Sequence, residues 1–350
     1  MRADCRASVD GGIVPFMRHR NAHRLGGFAV PALLPSCLAG CSGIQSALEP
    51  AGEEAASVFN LFWFMFSGGA IIWLGVVALV MYASRARQNP HSERASGLLI
   101  LWGGAIFPSA VLALLLGFTF WLMPGIRPWT ALADAPQLRI EVVGEQFWWR
   151  VTYFPGDGSD AVVSANEIRL PVGQRVEFTL KSNDVIHSFW IPSLGGKMDM
   201  IPGRTNRLSL LATKPGIFRG PCAEYCGTSH ALMAFSVVAM EPMAFGKWLS
   251  RCAKSSENVA AAGSDAFLAN GCGACHTIKG TEATGVIGPD LSHVGSRRTL
   301  GAGILPNNEA TIARFITEPD RIKPGVQMPA FGMLPHQDIE TIAAYLKGLK

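Results

Sequence analysis

From Pro221 to Met233 the chain reads PCAEYCGTSHALM, with Cys222 and Cys226 four apart, His230 four further on and Met233 three beyond that. Two thiols, an imidazole and a thioether in so short a loop form a soft donor set, and such sets select copper, zinc or iron–sulfur chemistry. Structural zinc takes four ligands from cysteine and histidine and has no use for the methionine. A mononuclear blue-copper site takes one cysteine, two histidines and a weak methionine. Two cysteines leave donors for two coppers bridged by two sulfurs. The second imidazole must come from elsewhere, and His187 in NDVIHSFWIP, flanked by Ile186 and Phe189, is the candidate. Taken alone, a Cys-x3-Cys pair in an exported domain reads equally well as a disulfide, and a lone histidine as a satisfied core residue. The clustering argues against both.

A second pair lies in NGCGACHTIKG: Cys272, Cys275 and the adjoining His276. Cys-x2-Cys-His is the attachment sequence for c-type haem, in which two thioethers anchor the porphyrin and the histidine ligates iron. Zinc and redox proteins also carry the motif by chance, but a unit that opens with SDAFLANGC and runs to the C-terminus suits haem better. A downstream methionine completes the iron ligands. Met328 in GVQMPAFG is the candidate and Met333 the alternative. Pro289 in IGPDL is expected to pack on the histidine side of the haem. His293 and His336 read as surface residues and Cys252 as a solvated bystander.

These motifs need elements to hold them. With 49% hydrophobic and 16% charged residues in 350, the chain suits two or three units, one in a membrane. No charge occurs between Glu54 and Arg85 or between Arg94 and Arg127. Each gap exceeds the ~20 apolar residues that cross a bilayer; helices are expected near 57–82 and 97–122. The connection carries Arg85, Arg87 and Arg94, which places it in the cytoplasm and everything after the second helix outside. At the start, Arg18, Arg20 and Arg24 precede an uncharged apolar run, the pattern of a secretory signal. LAGC (Leu38 to Cys41) resembles the lipobox of bacterial lipoproteins, implying lipidation at Cys41; a small-residue cleavage site with an incidental cysteine is the other reading. Of the net charge of +4, +3 belongs to this leader. Segments 130–250 and 263–350 each carry equal numbers of basic and acidic residues, so no nucleic-acid surface is implied.

From 136 to 241, short alternating runs such as LRIEVV, FWWRVTYF, RVEFTLKS and FSVVAM predict a Greek-key sandwich or barrel. SRCAKSSENVAAAGSD is a linker by composition. DIETIAAYLKGL then sets Ile339, Ile342, Leu346 and Leu349 on one helical face. The expected organisation is a leader (1–41), a transmembrane hairpin (42–128), a β domain (129–249), a linker (250–263) and a helical haem domain (264–350).

The pattern Cys222, Glu224, Cys226, His230, Met233, with upstream His187, the two-span hairpin and GEQFWWRVTYFP, resembles the binuclear copper (CuA) domain of cytochrome c oxidase subunit II over about residues 50 to 245. Residues 264–350 resemble a cytochrome c, which implies that the DIETIAAYLKGL helix crosses the DAFLAN helix. The resemblance implies a multi-domain chain: a two-helix transmembrane hairpin, a cupredoxin-like β-barrel and an all-α class I cytochrome c domain, as in subunit II of a caa-type oxidase. It implies that the cysteines bridge both coppers, that His187 and His230 each terminate one, and that Met233 and the Glu224 carbonyl are weak axial ligands. The Glu224 carboxylate would reach a magnesium shared with subunit I. Electrons would run from an external donor (cytochrome c or a bc complex) to haem c, to CuA and to subunit I, where oxygen reduction and proton pumping occur beside subunit III. The setting implied is a bacterial inner membrane, with the copper and haem domains on the periplasmic side. Two other readings are the electron-accepting subunit of a copper-containing nitric oxide reductase and an anchored electron carrier with no enzyme partner.

Two positions depart from the family pattern. Where it has a tryptophan that accepts electrons, this chain has Phe147, followed by Trp148 and Trp149, so Trp148 substitutes or the route differs. Where it has an acidic residue near the start of the second helix, this chain has Leu99, with Glu93 expected outside the helix. Fusion of donor to acceptor replaces diffusional encounter by an effective concentration set by linker reach.

Overall fold

The computed structural model describes residues 42–85, 92–126, 138–257 and 262–350. The expectations for the leader and for Cys41 lie outside the described residues.

Two apolar helices leave the rest of the chain. The first, α1 (Glu53–Arg85), spans 33 residues. The second starts as α2 (Glu93–Leu99), passes through a π-helical stretch (Ile100–Ile106) and continues as α3 (Phe107–Ile126). Pro108 explains the π stretch, because it has no N–H to donate and its ring pushes back the preceding turn. Ser92 caps α2 by accepting from the Ala95 N–H at 3.3 Å. Glu93 is therefore the first residue of the helix and not outside it. The apolar stretches of both helices are unburied, as lipid-facing surface would be. Phe64 of α1 meets Phe118 of α3 at 5.9 Å between ring centroids.

The base of α1 is fastened to the β domain. Glu53 and Glu54 both pair with Arg175, the Glu53 contact at 2.6 Å. Glu54 also accepts from the Leu211 N–H at 3.2 Å. At Gly52 a Cβ would lie 2.3 Å from the Leu194 carbonyl oxygen, so only glycine allows this close approach.

The β domain contains β1 (Leu138–Glu145), β2 (Trp148–Pro155), β3 (Val162–Ala165), β4 (Glu167–Pro171), β5 (Arg175–Ser182), β6 (His187–Phe189), β7 (Met198–Met200), β8 (Asn206–Leu211), β9 (Gly216–Pro221) and β10 (Ala234–Met240). One sheet runs β3-β2-β1-β5-β8 and faces a second, β4-β10-β9, with β6-β7 as a ribbon at one end. Period-two alternation puts Trp149, Val151 and Tyr153 of β2 inside, against Ile140, Phe178, Leu180, Phe189 and Phe235. Phe189 stacks on Phe235 at 4.9 Å, worth about 0.5–1.5 kcal/mol beyond burial. This is the cupredoxin-like fold. Its end is closed by α4 (Pro242–Cys252), whose Phe245 and Trp248 pack on Tyr153.

The C-terminal part is helical: α5 (Ser264–Ala269), α6 (Glu309–Thr317), the single turn α7 (Pro319–Ile322) and α8 (His336–Gly348), with a short ribbon of β11 (Thr299–Leu300) and β12 (Leu305–Pro306). Phe267 of α5 meets Tyr345 of α8 at 6.1 Å, and Ile339, Ile342, Leu346 and Leu349 are all buried. His293 is buried as well, its Nε2 2.9 Å from the Lys254 carbonyl, which corrects its reading as a surface residue. Cys252 is half-buried against the barrel and not solvated, and burial pushes its thiol pKa up.

The haem-motif domain is docked on the barrel. The Arg298 N–H donates to Glu167 at 2.7 Å, Ala234 N–H to the Ala302 carbonyl at 2.9 Å, Arg150 to the Val286 carbonyl at 2.8 Å and Ser229 Oγ to the Pro324 carbonyl at 2.6 Å. These bonds hold the two halves face to face, so their separation is set by packing and not by the reach of a tether.

Candidate functional site

The six residues singled out around the cysteine loop converge. Cys222 follows directly on β9 and is 2.8 Å, through its N–H, from the Met233 carbonyl. The loop from Cys222 to Met233 thus closes on itself at the end of the β9–β10 pair. His187 opens β6. The two sulfurs are 3.9 Å apart, and both thiols are free. His187 Nδ1 lies 3.9 Å from Cys222 Sγ, His230 Nδ1 3.6 Å from Cys226 Sγ, and Met233 Sδ 3.7 Å from Cys226 Sγ. The Glu224 carbonyl oxygen sits 3.2 Å from Cys222 Sγ. His187, Cys222, Cys226 and Met233 are buried, and the ligand atoms of the first three lie within 4.8 Å of one another.

The electrostatics prepare a thiolate. Contact with the Cys226 thiol holds the Cys222 pKa well below the usual thiol range, with His187 assisting. The same contact, together with burial, pushes Cys226 up. The pair thus shares one proton until a metal displaces it. Burial works against charging His187, but hydrogen bonds to Cys222 and Asp184 leave its pKa raised.

Asp184 and Gln146 belong to the site although the sequence reading passed over both. Asp184 Oδ1 is 2.8 Å from His187 Nε2 and accepts from the Val185 N–H at 2.6 Å, while Oδ2 accepts from the Gln146 N–H at 2.6 Å. Engaging Nε2 in this way leaves Nδ1 facing the Cys222 sulfur and available as a donor. Gln146 Nε2 donates to the Cys226 carbonyl at 2.6 Å, tying the β1–β2 turn to the loop. A polar residue three before a histidine was the available signal for Asp184. Gly144 is required too, since a Cβ there would stand 2.7 Å from the His187 ring.

The second constellation surrounds a cleft of about 1480 Å3, open mouth included. Cys272, Cys275 and His276 line it, as do Phe267, Leu291, Ile316 and Met328. His276 Nδ1 lies 2.8 Å from the Pro289 carbonyl, so its Nε2 is free to ligate; burial pushes the imidazole pKa down. Pro289 is thus on the histidine side, as the sequence suggested. Met328 is on the wall, whereas Met333 is 78% exposed. Phe147 and Trp148 of the β domain line the same cleft. The Phe147 ring fills the gap between Gly227 of the cysteine loop and Gly325 of the helical domain: a Cβ at either would meet it at 3.2 and 3.5 Å. Both glycines have positive φ, 125° and 78°.

Residues 156–240 match the family described as cytochrome c oxidase subunit II, periplasmic domain, and residues 260–350 match cytochrome c. The chain is 32% identical to cytochrome c oxidase subunit 2 of Alkalihalophilus pseudofirmus over 89% of its length and 94% of the relative's. The belonging is settled by that coverage. This chain belongs to the cytochrome c oxidase subunit II family. Subunit 2 of Bacillus subtilis is 31% identical, with 91% and 96% covered. Among solved structures, the periplasmic domain of subunit II of the Bradyrhizobium japonicum oxidase is similar at 32% identity, covering 34% of this chain and 95% of that one, with a TM-score of 0.31.

As a subunit II with a fused cytochrome c, the caa-type arrangement, the chain is a subunit of cytochrome c oxidase and the place where electrons enter that haem–copper complex. It is a membrane protein with two candidate spans. Its copper site is the CuA site of the subunit II domain, and its haem c belongs to the C-terminal domain. The donors fit both groups. The sulfurs, imidazoles and thioether make a soft, buried set suited to copper, and the cleft has thiols at its rim, a free imidazole nitrogen inside and apolar walls.

Proposed function

We propose a specific assignment of residues to electron transfer in this subunit. Cys222 and Cys226 would hold the copper pair through their sulfurs and His187 and His230 through Nδ1, with Met233 Sδ and the Glu224 carbonyl as weaker donors. Cys272 and Cys275 would anchor the haem covalently, and His276 and Met328 would ligate its iron. When bound, these groups supply one-electron transfer; the residues supply position, exclusion of water and a rigid frame. Asp184 fixes the His187 ring, and Gln146 fixes the loop backbone. The observation that carries the assignment is the convergence of both Nδ1 atoms, the thioether and the carbonyl on two unbonded sulfurs.

Phe147, packed between the cysteine loop and the helical domain, and Trp148 on the same wall would line the path between the haem and copper sites. The Glu224 carboxylate, 43% exposed and 3.9 Å from Lys197, reaches a magnesium shared with subunit I. Subunits I and III are the membrane partners, and cytochrome c or a bc complex is the external donor. The arginine-bearing loop lies in the cytoplasm of a bacterium, so the copper and haem domains face the periplasm.

The test is copper analysis and electron paramagnetic resonance of the purified complex. Two coppers per chain with a mixed-valence signal are expected, lost in His187→Ala or Cys226→Ser with the haem band retained. Zinc at this site, or a disulfide joining 222 to 226, would overturn the assignment.

A further inference from the structure

Lys323 is a lysine in the wrong place for a surface charge. It is 2% exposed and lines the haem cleft where β11 and the barrel meet. Its Nζ donates to the Gly301 carbonyl at 2.8 Å, and among the described residues no carboxylate pairs with it. Burial pushes its pKa down to about 7, with Cys226 as the nearby group that opposes the fall. An uncompensated buried cation costs several kcal/mol, so a site that keeps one has a counter-charge for it in the functional state. A second buried cation, Arg297, lines the same cleft and is bonded to the Asp290 carbonyl. The cleft thus offers two cations to a group that carries two carboxylates.

Resting on the haem assignment above, we infer that Lys323 is a haem-anchoring residue: its ammonium receives one carboxylate of haem c and holds that edge of the porphyrin at the seam with the copper domain. The backbone around it explains the location. The Pro324 carbonyl accepts from Ser229 Oγ one residue before His230, and a Cβ placed on Gly325 would meet Phe147 at 3.5 Å and Thr228 at 3.8 Å. The Lys323–Gly325 turn therefore serves two surfaces. Its backbone docks on the copper loop, and its side chain meets the haem. A cation there stabilises the reduced haem, the form with one more electron.

The experiment is an optical redox titration of haem c in the purified oxidase complex carrying Lys323→Gln or Lys323→Arg. Glutamine keeps a donor for Gly301 but removes the charge; arginine keeps the charge. Lys323→Gln is expected to lower the equilibrium constant for haem reduction about tenfold, a fall of 59 mV for one electron, while Lys323→Arg stays near the parent. Loss of haem from the glutamine variant with retention in the arginine variant would also support the anchor. An unmoved potential in Lys323→Gln, an equal shift in both variants, or haem loss from both would overturn it and leave the lysine as a structural prop of the seam. A parent complex without a haem c band would instead sink the haem assignment, a separate failure.

Discussion

The copper loop and the haem cleft are two ways of readying a protein for a redox group. At the copper loop the donors are already assembled: three donor side chains and a carbonyl surround two sulfurs, and the strands behind them are fully packed. At the haem cleft the walls are in place around a large void, and much of what faces it is apolar. The barrel has its own core and needs the metal only for function. The helical domain has a small core, and its group is a structural member. Small domains with little core commonly lean on such an insert.

The strongest way to break this contrast is to remove the haem. Cys272→Ser with Cys275→Ser should leave residues 262–350 without a cooperative unfolding transition and open to protease, while the barrel remains resistant. Next in size, Cys226→Ser should abolish copper binding yet change barrel stability by no more than about 1–2 kcal/mol in thermal unfolding. A barrel that unfolds without copper would erase the distinction. Phe147→Ala touches both halves. It should cost about 3–5 kcal/mol as a large core truncation and slow haem-to-copper transfer measured by flash photolysis. Asp184→Asn should weaken copper binding about 10–100-fold by releasing the His187 ring, read by competition with a chelator, and leave the haem untouched.

The smallest effect is on pH dependence in a chain freed of both groups. His187 has its pKa raised above 6.5 despite burial, through Cys222 and Asp184. Its contribution is present below pH 6.5 and lost as pH rises through the folded value. Burial depresses that of His276, so folding of the helical domain is penalised as pH falls below 6.5. For His187, lowering the pH through this range should widen the gap in barrel thermal stability between the copper-free parent and His187→Ala; a gap that does not change with pH would contradict it.

Much of this could be read from the chain because the chemistry is local. Cys222, Cys226, His230 and Met233 sit within one loop, and Cys272, Cys275 and His276 within another, so spacing alone placed them. Strand β2 alternates cleanly and β1, β5 and β10 alternate over part of their length, so all four were legible for the same reason. β3 and β7 are short. β9, with sequence GIFRGP, is broken by glycine and proline, and its edge pairing to β10 is long-range. Asp184, Gln146 and Lys323 are ordinary polar residues whose roles depend on atoms far along the chain. Cys252 was misjudged because α4 lays it on its own barrel, and His293 because the chain just after α4 covers it through the Lys254 carbonyl. The π stretch before Pro108 is a helix defect whose form a proline signals only in general.

The double clamp of Glu53 and Glu54 on Arg175 has a mechanical consequence. A stalk gripped at two adjacent carboxylates cannot swivel freely beneath its load. The height and heading of the copper loop above the bilayer are therefore inherited from the first helix, and the distance an electron must jump into the membrane partner is fixed before that partner is met.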